Sequence, residues 1–220
     1  MKIYYEDNHV IVIDKPVNQP SQQDASFHLD TLTMVKDYIK ETYNKPGNVY
    51  VGLVHRLDRP VGGLMVFAKT SKAASRLSDQ VRTRTLEKEY IAIVEGEMPL
   101  GTYTDWLIKD GNTNTSKVTH KDKKNAKQAT LTVLESDYNK KENLSRVRIK
   151  LETGRHHQIR VQCASRNHPL WGDARYNPRS KPGQQIALWS YKLSFMHPTK
   201  KEKITLTSEL PTSYPFNLWK

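Results

Sequence analysis

The chain has 220 residues, of which 36% are hydrophobic and 26% are charged. This length and composition are typical of one large folded domain or two small ones, and they argue against an intrinsically disordered protein. No apolar run approaches the roughly 20 residues that a membrane-spanning helix needs, and the first residues lack the layout of a secretion signal. We therefore expect a cytoplasmic protein with no membrane partner.

Cysteine content and charge narrow the classes of function further. Cys163 is the only cysteine, which excludes an internal disulfide and a cysteine-based zinc site. Lysine and arginine number 35 against 23 acidic residues, so the formal net charge is +12 at pH 7. The excess is concentrated in a lysine-rich stretch at residues 117–127 and in arginine-containing stretches at 76–84 and 146–166. This distribution favours a nucleic-acid partner over a membrane surface.

The first half of the chain alternates between predicted strands and helices. Short apolar runs bounded by turn residues predict strands at residues 3–13, 49–57 and 64–68. Asp7-Asn8 is expected to form a turn within the first of these segments. Apolar residues at helical spacing predict one helix that is capped by Asp30 or Thr31 and ended by Pro46-Gly47. A second helix is predicted from about Ser71 to Arg84, with arginines on its polar face.

The second half of the chain is predicted to be rich in strands. Five segments have strand patterns, at residues 90–94, 129–134, 147–151, 186–195 and 203–206. Residues 100–127 are polar and are predicted to be loops or an insertion with little core. Residues 154–166 fit both a helix and a strand, because Ile159 and Cys163 stand at helical spacing within an alternating pattern. The sequence thus predicts a strand-rich α+β protein, with one domain over residues 1–220 because no linker divides it.

One aspartate has a setting that suits chemistry, in the segment HRLDRPVGGLMVFAKT at residues 55–70. Asp58 stands between Arg56 and Arg59 and shortly before Gly62-Gly63. Neighbouring guanidinium groups favour the ionised carboxylate, and an anion suits a nucleophile better than a general acid. The two glycines permit a positive φ or the close approach of another backbone. An isolated Arg-x-Asp is more often a structural pair that fixes a turn, so this pattern alone does not define a catalytic site.

A second polar segment, GRHHQIRVQCASRNHPLWGDARY, spans residues 154–176. Its arginines, histidines and glutamine offer hydrogen-bond donors to phosphates and base edges. The side chains of His156 and His157 point apart on either a helix or a strand, and no carboxylate or cysteine stands at ligand spacing. No metal site is therefore expected. A solvated basic face is the ordinary interpretation of such a segment taken alone.

Together the two segments resemble the RluA-like pseudouridine synthases, which act on large-subunit ribosomal RNA and tRNA. The HRLD sequence, its following glycine and FAKT match that family's catalytic motif. Residues 154–176 match its Gly-Arg-x-His-Gln-Ile-Arg pattern and the later His-Pro-x-x-Gly-Asp-x-x-Tyr pattern. Glu87-Lys88-Glu89-Tyr90 and the turn at Lys15-Pro16 also match. The resemblance runs from about Tyr5 to His197, and a chance match to both long motifs in order is very improbable.

The resemblance implies the pseudouridine synthase fold, a mixed and largely antiparallel sheet flanked by helices and loops. It implies a stand-alone catalytic domain with no S4-type RNA-binding domain before it. The implied enzyme is an isomerase that cleaves the N1–C1′ bond of a uridine in tRNA or ribosomal RNA, rotates the base and rejoins it through C5. This reaction requires no cofactor, and the sequence contains no nucleotide-binding motif. We therefore expect RNA as partner, no metal and a monomer.

The same resemblance implies roles for individual residues. Asp58 would be the catalytic carboxylate, Tyr90 would stack on the flipped base and Arg160 would pair with Asp58. The implied RNA-binding residues lie in the two motifs: His55, Arg56, Arg59, Arg155, His157 and Gln158. The resemblance also implies that residues 154–166 are a loop leading into a helix. The chain departs from the family pattern at four places, which bear on the choice of RNA: Gln19, Val61-Gly62, His156 and Trp189.

Two other functions are compatible with the sequence. A non-catalytic RNA-binding or ribosome-assembly factor could use the same fold, but it would have less reason to keep Asp58, Tyr90 and Arg160 together. A carboxylate-based glycosidase acting on free nucleosides would break the same bond, but no second acid is evident and the charge of +12 argues against a small substrate. Isomerisation of uridine in RNA is therefore the leading hypothesis.

Overall fold

The computed structural model describes residues 1–24 and 28–219. The chain folds into two compact units, one made of Met1–Glu87 with Ser190–Ser208 and the other of Lys88–Trp189 with Glu209–Lys220. Each unit therefore combines segments that are distant in sequence. Within the described residues, no helix is long and apolar enough to cross a membrane. One catalytic domain over residues 1–220 stays a prediction.

The described residues contain eleven strands and three α-helices. The strands are β1 (Ile3–Glu6), β2 (Val10–Lys15), β3 (Gly52–Leu53), β4 (Gly62–Ala68), β5 (Glu87–Glu95), β6 (Gly101–Asp110), β7 (Thr115–Thr119), β8 (Lys127–Asn139), β9 (Leu144–Leu151), β10 (Leu188–Met196) and β11 (Lys203–Thr207). The helices are α1 (Thr31–Thr42), α2 (Ser71–Thr83) and α3 (Gln158–Ala164). A short 3-10 helix, Phe216–Trp219, ends the described chain.

The first unit is a sheet with helices α1 and α2. Strand β2 lies between β1 and β4 and is antiparallel to both. Strand β10 lies next to β4 in the sheet, and β11 pairs with β10 in the antiparallel direction. Every residue of β4 is buried, as expected for a central strand. Apolar residues of β2, β4 and β10 pack with Ala73 and Leu77 of α2, which fixes this helix on the sheet.

Both helices of the first unit begin at the residues that the sequence indicates. The side chain of Asp30 accepts a hydrogen bond from the Thr33 N–H at 3.0 Å and so caps α1. Thr70 caps α2 in the same way, by accepting from the Ala73 N–H at 3.2 Å. Helix α2 ends at Arg84, which has a left-handed backbone with φ of 62°. The predicted cap at Asp30 and the predicted extent of α2 are confirmed. The predicted end of α1 at Pro46-Gly47 is wrong, because the helix ends at Thr42.

The second unit is an antiparallel sheet with helix α3. Its strands lie in the order β5-β9-β8-β6-β7, and each is antiparallel to its neighbours. Val161 of α3 packs against Leu107 of β6 and Ala129 of β8. The loop before α3 and the helix itself confirm the order that the resemblance implies for residues 154–166. The α+β class and the largely antiparallel sheet are confirmed.

Two further predictions of secondary structure are wrong. Residues 101–119 are not loops, because they form the β6–β7 hairpin, whereas residues 120–126 are loop as predicted. The outer face of β6 is hydrophilic: Thr102 and Thr104 hydrogen bond through their hydroxyls to Thr132 and Thr130 of β8, at 2.9 and 3.0 Å. Such strands lack the apolar alternation by which a strand is predicted. The strand predicted over residues 49–57 is reduced to Gly52–Leu53, and the rest is loop.

Candidate active site

Asp58 lies in the loop of residues 54–61, which joins β3 to β4 in the first unit. The Val61 N–H donates to the Asp58 carbonyl at 3.0 Å and closes a turn. Asp58 is half-buried, whereas Arg56 and Arg59 are exposed. The Arg59 Nε–H donates to the Asn18 carbonyl at 3.2 Å. The carboxylate thus stands on a closed turn with an exposed arginine on each side in sequence.

Ser21 fixes the backbone immediately before Asp58. Its Oγ accepts from the Leu57 N–H at 3.1 Å and donates to the Leu57 carbonyl at 2.8 Å. His55 is also placed structurally, because it is only 9% exposed and its Nε2 accepts from the Val66 N–H at 3.1 Å. This burial favours a structural role for His55 over the predicted contact with RNA.

Lys15 lies beneath the same turn with 0% exposure. Its Nζ donates to the carbonyls of Pro16, Gln19 and Arg59 at 2.8, 2.6 and 3.0 Å. Three acceptors match the three N–H donors of an ammonium group. Burial lowers the pKa of Lys15 to about 7, against the opposing charge of Asp58. Lys15 therefore ties the end of β2 to the residue that follows Asp58, a role that the sequence analysis missed.

Gly63 confirms the expected need for glycine after the turn. Its φ is +109°, and a Cβ at this position would lie 2.3 Å from the Ser190 carbonyl oxygen. The Ser190 Oγ–H in turn donates to the Leu64 carbonyl at 2.9 Å. The backbone of β10 thus packs directly on the start of β4, which no side chain larger than hydrogen permits.

Tyr90 lies on β5 in the second unit, where it is 6% exposed and stands opposite Ile149 of β9. Lys88 shares its face of the strand, since residues two apart point the same way. Burial lowers the pKa of Lys88. A Cβ on Gly154 would lie 3.5 Å from the Lys88 Nζ, which places this amine beside the start of the GRHHQIR segment.

Arg160 is buried on α3 and forms a two-point ion pair with Asp173. Its Nε and Nη2 donate to the two carboxylate oxygens at 2.8 and 2.7 Å, and the two side chains are 5% and 0% exposed. The guanidinium carbon also lies 5.2 Å from the centre of the Tyr176 ring. Asp173 is a partner that the sequence pattern did not indicate. The predicted pair of Arg160 with Asp58 stays a prediction.

Gln158, predicted to bind RNA, is instead 3% exposed and holds the loop before α3. Its Oε1 accepts from the Thr153 hydroxyl at 2.7 Å and the Arg155 N–H at 3.0 Å. Its Nε2–H donates to the Thr130 carbonyl at 3.0 Å. These bonds favour a structural role for Gln158. Arg155 is half-buried, and its Nε–H donates to the Gln128 carbonyl at 2.9 Å.

His157 belongs to a polar network that sequence reasoning did not predict. Its Nδ1 is hydrogen bonded to the Tyr176 hydroxyl at 2.8 Å, and its ring stacks on His156 with centroids 3.8 Å apart. The Tyr176 oxygen accepts from the Ser116 N–H at 2.7 Å. The Ser116 hydroxyl is hydrogen bonded to His156 Nδ1 at 2.9 Å. The expectation that the side chains of His156 and His157 point apart is therefore wrong, because the left-handed backbone of His157 lets the two rings stack.

The described residues also bear on two other kinds of chemistry, metal binding and catalysis by a thiol. Among residues 1–24 and 28–219, no group of three or more His, Cys, Asp and Glu side chains is placed to hold a metal ion. Cys163 is buried, and burial raises the pKa of its thiol to about 12, so this thiol is not the nucleophile. Each unit brings its own predicted residues together: His55, Arg56, Asp58 and Arg59 in the first, and Arg155, His157, Gln158 and Arg160 in the second.

Known proteins with similar sequences are RNA pseudouridine synthases. A family model described as RNA pseudouridylate synthase matches residues 9–165. The chain is 35% identical over 222 residues to the RNA pseudouridine synthase YhcT of Bacillus subtilis (strain 168), covering 96% of this chain and 69% of that relative. It is 32% identical over 229 residues to ribosomal large subunit pseudouridine synthase D of Vibrio cholerae, covering 96% and 68%.

Solved structures agree on the fold. Human RNA pseudouridylate synthase domain containing 4 superposes with a TM-score of 0.77 at 22% identity, covering 96% of this chain and 88% of that chain. Human RNA pseudouridylate synthase domain containing 1 superposes with a TM-score of 0.74 at 23% identity, covering 96% and 84%. The predicted fold and the predicted class of enzyme are confirmed. By its sequence, this chain belongs to the RNA pseudouridine synthase family, a family of isomerases that act on RNA.

Proposed function

We propose that this chain isomerises specific uridines in ribosomal RNA or tRNA and that Asp58 is its catalytic carboxylate. The relative from Vibrio cholerae bears the name of a ribosomal large subunit enzyme, which supports ribosomal RNA. The observation that carries the proposal is the bracing of the Asp58 turn. Ser21 holds the residue before Asp58, and Lys15 holds the residue after it. A turn held by these hydrogen bonds keeps its carboxylate in place before the substrate binds, as an enzyme's catalytic group requires.

The proposed reaction balances without a cofactor. The N1–C1′ bond of uridine breaks, the uracil turns and a C5–C1′ bond forms. The C5 proton leaves to water, and N1 takes up one proton, so the product is an isomer of the substrate. Asp58 supplies the charged oxygen that starts bond cleavage. Tyr90 is proposed to stack on the extruded base, and Arg160 is proposed to supply positive charge. The exposed Arg56 and Arg59 are suited to the RNA backbone.

The experiment that tests this proposal uses RNA labelled with tritium at uridine C5, offered separately as ribosomal RNA and tRNA. Formation of pseudouridine must release this tritium, because C5 becomes the glycosidic carbon. We expect release by the wild type and a fall of about 10³-fold or more in Asp58→Asn. Asp79→Asn, which changes an exposed aspartate on α2 of the same unit, is the matched control and should keep full activity. Equal release by Asp58→Asn and the wild type would refute the catalytic role.

A further inference from the structure

We propose that residues 117–127, here named the lysine loop, are a docking surface for the phosphate backbone of the substrate RNA. This inference rests on the proposed function and deepens it, since it locates where RNA is held outside the catalytic turn. The lysine loop consists of the end of β7, the connection to β8 and the first residue of β8.

Charge is the first observation that supports the inference. The lysine loop contains five lysines and a single acidic residue, Asp122. All five lysines are exposed: Lys117, Lys121, Lys123, Lys124 and Lys127. Lysines on a surface are point charges that bind phosphates without regard to base sequence. The strong local excess of positive charge therefore matches the backbone of RNA rather than its bases.

The path of the lysine loop is the second observation. Strands β7 and β8 lie on opposite sides of β6, so the connection between them has to cross β6. It leaves beside Trp106, which pairs with Thr119, and it returns beside Leu107, which pairs with Lys127. Two backbone bonds order the crossing, from the Lys123 N–H to the His120 carbonyl at 3.2 Å and from the Ala126 N–H to the Lys123 carbonyl at 2.9 Å. The lysines thus project from an ordered turn.

The third observation is the attachment of the β6–β7 hairpin to the polar segment of residues 154–176. Ser116, next to Lys117, donates its N–H to the Tyr176 hydroxyl and hydrogen bonds to His156 through its own hydroxyl. The Arg175 Nη1 also donates to the Thr113 carbonyl at 3.0 Å. Tyr176 in turn lies under Arg160. The β6–β7 hairpin, which leads into the lysine loop, is therefore attached to side chains around Arg160 within the same unit.

RNA fits this surface better than a membrane does. A membrane-binding segment needs bulky apolar side chains beside its basic residues. Within the lysine loop the exposed large hydrophobic residue is Val118, at 39% exposure, and the other apolar side chain is that of Ala126. The lysine loop therefore has positive charge but no bulky apolar side chain that could insert into a membrane. Contacts to phosphates would position the RNA and leave the choice of uridine to other residues.

The test replaces three loop lysines together, as Lys121→Gln, Lys123→Gln and Lys124→Gln. The matched control replaces three exposed lysines elsewhere, as Lys40→Gln, Lys140→Gln and Lys141→Gln, so the two proteins have the same net charge. Binding of a transcribed fragment of large-subunit ribosomal RNA is measured by fluorescence anisotropy between about 50 and 200 mM salt. Tritium release gives kcat and KM for the same RNA.

We expect the loop variant to bind the fragment at least about tenfold more weakly than the control protein. Its slope of log K against log salt should be shallower by about 2, since each phosphate contact contributes roughly 0.7 to 0.9. KM should rise about as much as affinity falls, with kcat within about twofold of the wild type. Equal affinity and equal slope in the two proteins would overturn the inference. So would loss of binding to phosphatidylserine vesicles in the loop variant with RNA binding intact.

The two proposals fail in different ways in this experiment. Anisotropy needs no turnover, so loop-dependent binding by a wild type that releases no tritium would support the docking surface and refute the proposed function. Normal tritium release by the loop variant at an unchanged KM would support the proposed function and refute the docking surface.

Discussion

Two buried cations, Lys15 and Arg160, distinguish this chain at the scale of single residues. A buried charge is costly unless hydrogen bonds or an opposite charge compensate it. Lys15 is compensated by three carbonyls and Arg160 by the two oxygens of Asp173. The groups that compensate each cation lie in or beside segments that carry proposed active-site residues. We infer that each of these cations fixes the position of the residues that it hydrogen bonds, in addition to supplying a positive charge.

The buried amine of Lys15 predicts a pH dependence of stability. Its pKa is about 7 in the folded chain and 10.5 for an ordinary lysine, so between these values the unfolded chain binds more protons. The free energy of unfolding of the wild type should therefore rise with pH relative to Lys15→Met, by up to roughly 1.4 kcal/mol per pH unit. Urea unfolding from pH 6 to 10.5 measures this difference. A difference that stays constant across that range would contradict the lowered pKa. Lys40→Met, at an exposed site, is the control substitution.

The ion pair of Arg160 with Asp173 predicts that a conservative substitution of Asp173 strongly destabilises the protein. Asp173→Asn keeps the shape of the side chain but leaves a buried guanidinium with a neutral partner. We expect it to lower the free energy of unfolding by about 3 to 5 kcal/mol. Asp137→Asn is the control, because its pair with Arg146 is largely exposed and should contribute about 1 kcal/mol or less. Urea unfolding measures both variants. Equal decreases in the free energy of unfolding would show that the buried pair contributes no more to stability than the exposed pair.

Residues whose role is local in sequence were predictable, and residues with distant partners were not. The setting of Asp58 and the need for glycine at Gly63 could be read from adjacent residues. The partners of Lys15 and Gln158 could not, because the Arg59 and Thr130 carbonyls are 44 and 28 residues away. Lys15 and Asp173 did stand in segments that match the family, but a matching motif does not state what each side chain contacts.

At the scale of elements, helix α1 supports the turn that carries Asp58 through residues 20 and 21. The Thr31 N–H and hydroxyl donate to the Pro20 carbonyl at 2.8 and 2.9 Å, and the Leu32 N–H donates to the Ser21 carbonyl at 3.2 Å. Ser21 then hydrogen bonds Leu57, the neighbour of Asp58. The first turn of α1 thus fixes the segment that hydrogen bonds to the loop of residues 54–61.

Removal of the Ser21 hydroxyl should therefore disturb both stability and turnover. Ser21→Ala leaves the buried N–H and carbonyl of Leu57 without this partner, which should lower the free energy of unfolding by about 1 to 3 kcal/mol. We expect kcat for tritium release to fall while KM changes little, since the turn would hold Asp58 less well. Ser78→Ala, which removes an exposed hydroxyl on α2 of the same unit, is the control. Unchanged stability and kcat in Ser21→Ala would argue against this support.

Elements were predictable where one face is apolar. Strand β4 and helix α2 bury continuous or periodic apolar residues, and their positions follow from the sequence. Hairpin β6–β7 was missed because threonines and lysines cover its exposed face, and only Leu107 of β6 is fully buried. Its stability comes from pairing with β8 and from Ser116, contacts that no local pattern encodes.

At the scale of the whole molecule, charge and family membership agree. A net charge of +12 suits a polyanionic substrate, and the family match assigns that substrate as RNA. The first unit contains the proposed catalytic Asp58, and the second contains Tyr90, Arg160 and the lysine loop. Composition and motifs made the reaction predictable from sequence. The proposed docking surface required the structure, because its lysines lie on a connection that crosses β6.

The most direct test of the central claim is to map pseudouridine in cellular RNA. Cells that lack this chain are complemented with the wild type, Asp58→Asn or Asp79→Asn at equal protein levels, and pseudouridines in ribosomal RNA and tRNA are mapped by chemical modification and sequencing. We predict that specific pseudouridines disappear without the chain and return with the wild type and Asp79→Asn but not with Asp58→Asn. Restoration of those pseudouridines by Asp58→Asn, or a map that is unchanged when the chain is absent, would contradict the account.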